Sequence, residues 1–133
     1  MAGIEPESGV GRRDTGIAQA GVHIDSRRRI AGRRRAHGAA FVTWVGVEES
    51  RARIDDAQAT LRWYASSPGA ERGFCSHCGS MLFFRGQRWP GELHIVRANF
   101  DEPVDREPQV HVHYDTHVDW VALDPADGLP RKP

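Results

Sequence analysis

Residues 73–84 read "GFCSHCGSMLFF" and hold both cysteines of the chain, Cys75 and Cys78, with Gly79 directly after them. A Cys-x-x-Cys turn places two sulfurs on one side of a tight loop. Glycine enters left-handed conformations at no steric cost, so Gly79 allows backbone amides to turn toward those sulfurs. The pair can supply half of a tetrahedral zinc site, which takes four ligands when it is structural. A redox pair usually opens a helix after a βαβ strand, whereas "SMLFF" is strand-like. Ordinary core thiols remain open, because a free cysteine packs as a small hydrophobe.

Outward from this knuckle the pattern is one of short strands. "TLRWYASSPGAERGFC" reads as a strand, a Ser-Pro-Gly turn and a strand entering the first thiol. "SMLFFRG" leaves the knuckle as a strand and "QRWPGE" turns. "ELHIVRANF" is a further strand, "DEPVDREPQ" a proline-rich loop, and "VHVHYD" and "WVALD" two more strands. Upstream, "AAFVTWVGV" is β-branched and aromatic, and "ESRARIDD" holds a short strand or turn. Frequent turns without a long 3.6-residue period predict an all-β, mainly β fold.

The chain has 133 residues, enough for one domain with a modest core that a metal staple would help. Lys+Arg and Asp+Glu are both 18, so no net field draws nucleic acid or an anionic membrane. Arginines crowd residues 12–35, and the expectation there is a disordered or aberrant segment, 1–35, with too few bulky apolar side chains to offset ordering entropy. No apolar run approaches the roughly 20 residues of a membrane span. The first residues lack the basic and apolar parts of a signal peptide, and cytoplasmic placement is expected. In a reducing cytosol the two cysteines are thiols.

Seven histidines could complete a metal site: His23, His37, His77, His94, His111, His113 and His117. His77, between the cysteines, is expected to point away. His111 and His113 would share a face of a strand, and two partly exposed strand histidines is the simpler reading. A third route is a homodimer in which two Cys75–Cys78 pairs share one zinc. Trp44, Trp63, Trp89 and Trp120 are expected as core or rim packing. Arg85 and Arg88 could hold a carboxylate, a solvated surface being the simpler expectation.

"RRAHGAAFVTWVGV", "LRWYASSPGAERGFCSHCGSMLFFRG", "RWPGELHIVRANFDEP" and "QVHVHYDTHVDWVAL" follow one another in the order and spacing of the glutathione-dependent formaldehyde-activating enzyme (GFA) family. The family is related in fold to the Mss4-like and centromere protein V domains. The resemblance covers about Arg34 to Leu129 and implies Mss4-like stacked antiparallel sheets with a zinc knuckle, over a domain at 36–129 that is incomplete at its N-terminal side and followed by a tail at 130–133. It implies a structural zinc held by an early Cys-x-Cys pair and a later Cys-x-x-Cys pair, which Cys75 and Cys78 match as metal ligands. It further implies a second zinc on a Cys-x-Cys-x-x-Cys cluster, a carbon–sulfur lyase activity on adducts such as S-(hydroxymethyl)glutathione, and glutathione or its adduct as partner.

Both early motifs are absent. Where the catalytic cluster belongs, the chain reads "RRRIAGRRRAHG", and arginine does not ligate zinc because its guanidinium stays protonated. No catalytic or cofactor-binding residue carries over from the family. Three expectations follow: a lyase that has lost its catalytic cluster and second zinc, a non-catalytic zinc-knuckle scaffold or interaction module, and a frameshifted inactive fragment. The last fits the abrupt change of composition near Arg34, since alternative frames often stay open in GC-rich coding sequence. Loss of the early strands is also expected to leave a sheet edge unpaired.

Overall fold

The computed structural model describes residues 3–4, 22–25, 36–122 and 126–133. The chain is mainly β, as its turn-punctuated strands predict. In chain order the strands are β1 (Gly3–Ile4), β2 (Val22–Asp25), β3 (Val42–Glu48), β4 (Ile54–Asp55), β5 (Leu61–Ser67), β6 (Ala70–Cys75), β7 (Met81–Gly86), β8 (Glu92–Val96), β9 (Val110–Val112) and β10 (Arg131–Lys132). The expected disorder of 1–35 lies outside the described residues except at β1 and β2, which are extended and paired.

Two compact units are formed. The first takes residues 1–20 and 46–95. Its frame is an antiparallel meander in which β6 pairs with β5 and β7, and β7 pairs with β8. The β5–β6 turn is the expected Ser-Pro-Gly reversal, and Gly69 takes φ of +69° there, a conformation glycine adopts without a Cβ penalty. Leu82, Phe83, Phe84, Leu93 and Ile95 are buried in this unit. Gly73 is a packing requirement: a Cβ on it would lie 3.0 Å from Phe83 Cδ2 and 3.3 Å from Leu61 Cδ1. The space is closed because Phe83 stacks on Trp63, centroids 6.0 Å apart.

The second unit takes residues 21–45 and 96–133. Here β2 lies between β3, to which it is antiparallel, and β9, to which it is parallel. The edge expected to be open is therefore occupied at Val22–Asp25. On the far side of β9, β10 adds in parallel, so these two pairings depart from a purely antiparallel plan. Trp44 is 3% exposed and packs edge-on against His37.

Three local expectations are corrected. Arg97–Asn99 leaves the end of "ELHIVRAN" as a 3₁₀ turn. "VHVHYD" is a strand only to Val112. His113 takes φ of +58°, and a 3₁₀ turn follows at Tyr114–Thr116. The period of two between His111 and His113 is broken there, and both are buried rather than partly exposed. "WVALD" is not extended over its described residues, 120–122, and Trp120 is 68% exposed rather than packed.

Candidate functional site

The thiol pair sits where β6 turns into β7. Cys75 ends β6, and its amide donates to Ser80 O at 2.9 Å while Gly79 N donates back to Cys75 O at 2.7 Å. Gly79 holds φ of +76°, as the knuckle reading requires. The two closures leave the amides of Cys78 and His77 directed at Cys75 Sγ. Those donors, Cys78 first, bring the Cys75 thiol down to about 7 and outweigh burial, which acts in the opposite sense. The Cys78 and Thr60 side chains also hydrogen-bond to it. Cys75 is 3% exposed. Cys78 is exposed, with its thiol 3.2 Å from Ser80 Oγ.

A neighbouring loop holds the knuckle in place. Ser76 donates through both its amide and its hydroxyl to Thr60 O, each at 2.8 Å. Thr60 is itself fixed by Asp56, whose carboxylate accepts from Thr60 N at 2.8 Å and Leu61 N at 3.0 Å. Burial pushes the Asp56 carboxyl up, but these amide donors more than offset it and hold it below the usual carboxylate range. Asp56 was hidden in the sequence within an unremarkable polar stretch. An Asp a few residues before the strand-like "LRWY", able to accept from backbone amides, was the available clue.

The histidines do not gather on the sulfurs. His77 is exposed at the tip of the turn. His94 is 1% exposed, packs against Phe84 and Trp89, and sets Nε2 3.0 Å from Glu92 Oε2. In the second unit His111, also 1% exposed, sets Nε2 2.6 Å from Asp127 Oδ2. That contact, then Leu129 N, holds the Asp127 carboxyl below its usual range. His117 stacks on Tyr114 with centroids 4.6 Å apart, and His37 packs on Trp44. For His23 only the backbone pairing, with Trp44 and Val110, is described. Among the described residues no three His, Cys, Asp or Glu side chains form a metal-capable group.

A cleft of about 460 Å³ opens in the first unit at the far end of the β5–β6 and β6–β7 ladders, with Glu49, Gly69, Arg85, Trp89 and Glu92 on its walls. Arg85 is neither a plain solvated arginine nor an open anion clamp. Its Nε meets Glu71 at 2.8 Å, its Nη1 meets Glu49 at 2.9 Å, and its guanidinium lies 4.2 Å above Trp63. Arg88 lies over Trp89 at 5.3 Å. The cleft is lined by neither cysteine.

A β meander carrying a thiol knuckle is the architecture the residues build, and the chain is similar to known proteins in sequence and in fold. The profile of the family described as "Glutathione-dependent formaldehyde-activating enzyme" matches residues 32–116. This chain belongs to the GFA family. A Halomonas elongata protein described as "Putative glutathione-dependent formaldehyde-activating enzyme" is 38% identical over 60 residues, which span 44% of this chain and 38% of that protein. A crystal structure of a Rhodobacter sphaeroides protein superposes with a TM-score of 0.51 at 19% identity, over 99% of this chain and 92% of that one. That likeness is one of fold. No helix among the described residues is long and apolar enough to cross a membrane.

Proposed function

We propose that this chain is a zinc–thiolate member of the GFA family, derived from carbon–sulfur lyases that act on glutathione adducts such as S-(hydroxymethyl)glutathione. By itself it does not accelerate that reaction. Glutathione or its adduct in the cytoplasm is the expected partner. The observation that carries the reading is the thiol count. The whole sequence has two cysteines, both in one knuckle, whereas the family resemblance calls for a separate catalytic cluster of three. When bound in the catalytic position, zinc lowers the pKa of a ligand thiol and polarises an oxygen of the substrate. Within one chain Cys75 and Cys78 provide two of the four ligands a closed site takes, so they do not fit a complete site alone. What the residues of this chain do is preset a pair of sulfurs: amides aimed at Cys75, a loop pinned through Thr60 and Asp56, and Cys78 open to solvent.

Two measurements test the reading. Exchange between glutathione and formaldehyde is followed by NMR with the full chain and zinc present. The uncatalysed rate is expected, and a rate that climbs in proportion to chain concentration overturns the inactive assignment. Cobalt substitution gives the second readout. Thiolate-to-cobalt charge-transfer absorption is expected in the native chain and absent from Cys75→Ser. A second reading, an out-of-frame stretch upstream of Arg34, is favoured by the Arg/Gly-rich composition there. It is decided by the nucleotide sequence, and it ends if no upstream frame carries cysteines.

A further inference from the structure

We propose that two copies of this chain share one zinc ion, each copy contributing Cys75 and Cys78. The inference rests on the zinc–thiolate reading above and adds the source of the missing ligands. Tetrahedral zinc needs two more donors, and the sequence holds no further thiol. No metal-capable group of three is found among the described residues, and in this proposal the complement comes from a second copy.

The knuckle suits such an approach. Residues 76–80, Ser-His-Cys-Gly-Ser, are all exposed and carry no fixed charge. Two copies can therefore meet there without like-charge repulsion, and with only one bulky side chain, His77, at each tip. Among the described residues nothing lies within 4 Å of where a Cβ on Gly79 would stand, so none of them closes the turn on that side. The Cys78 thiol hydrogen-bonds to Cys75. A cation binding between the two sulfurs reaches the buried one from the solvent side, through the exposed Cys78. On binding, each chain forms two zinc–sulfur bonds and loses its thiol protons to solvent. The amides of Cys78 and His77 already face the sulfur that gains charge. A two-fold axis through the metal makes the contact self-complementary and closed, so assembly stops at the dimer.

The test is sedimentation equilibrium of the full chain in a non-thiol reductant, with and without added zinc, together with the metal content of each species. A monomer without zinc and a dimer holding one zinc per two chains are expected. The dimer should revert to monomer when EDTA is added. Cys78→Ser, an exposed change whose fold is checked by near-ultraviolet circular dichroism, should stay monomeric with zinc present, while His77→Ala should dimerise as the native chain does. A monomer that holds one zinc on the two sulfurs overturns the sharing and leaves the zinc–thiolate reading in place. A dimer that survives EDTA overturns the sharing as well. Failure of the native chain to take up any zinc overturns both.

Discussion

Cys75 is where backbone geometry does the most chemistry. A buried thiol ordinarily rises in pKa, because the low-dielectric surroundings disfavour its charge. Here the amides of Cys78 and His77 prevail and the Cys75 thiol falls to about 7. The sign for stability follows from linkage. A group whose folded pKa is depressed stabilises the fold fully above its unfolded pKa, near 8.5 for cysteine. That contribution is lost as pH falls through the folded value. The metal-free chain should therefore gain stability relative to Cys75→Ser as pH rises from about 7 to about 9. Thiolate absorbance near 240 nm should show a step near pH 7 that Cys75→Ser lacks. A single step near the ordinary thiol value in the native chain would contradict this.

At the scale of elements, the knuckle depends on the tight join of β6 and β7. The register shifts between Gly73 and Phe74, immediately before the first thiol, and Gly73 lies against the Phe83 ring. Gly73→Ala puts a methyl 3.0–3.3 Å from Phe83 and Leu61 atoms. Overpacking of this kind costs about 1–3 kcal/mol, which urea unfolding should report as a lowered midpoint at unchanged m-value. The sequence made this hairpin and its β5 neighbour legible, because aromatic runs, a Ser-Pro-Gly turn between β5 and β6 and the Cys-x-x-Cys-Gly block each point the same way. Its reading failed where short-range signals are weak. "RAN" and "YDT" each carry a single turn-favouring residue, Asn99 and Asp115, too weak a signal beside the strand-like runs before them, and both are 3₁₀ turns. The His111–Asp127 contact joins residues 16 apart across what reads as a loose tail. Asp127 also accepts from Leu129 N at 2.9 Å and meets Arg131 Nη2 at 3.4 Å, so it fastens the approach to β10. Only the fold brings those groups together. The thiol pair was legible in full; Asp56 and Thr60, which hold it, were not, because their bonds are made largely to backbone atoms that no side-chain motif announces.

For the molecule as a whole, the question is how stable the fold is with only the two sulfurs of Cys75 and Cys78. A complete structural zinc site supplies on the order of 10 kcal/mol in small domains, and net stability of a domain is roughly 5–15 kcal/mol. On the zinc–thiolate reading proposed above, a fold that keeps two of four sulfurs would have given up a term as large as its whole margin. The apolar core persists in Phe83, Leu93 and Ile95, and β2 covers one side of β9 with its backbone, so a folded state is expected, with a small margin. Metal shifts that margin by mass action, about 2.7 kcal/mol when free zinc stands at 100 times its dissociation constant. If the metal is shared between copies, the gain also depends on protein concentration, since dilution separates the ligands. Scanning calorimetry of the metal-free chain should give a midpoint at or below the lower end of the usual mesophile range, about 45 °C, and no concentration dependence. With zinc the midpoint should rise by several degrees, and rise further as the chain is concentrated. A metal-free midpoint above about 65 °C would mean that the remaining contacts suffice without the sulfurs, and that the knuckle is a remnant rather than a support.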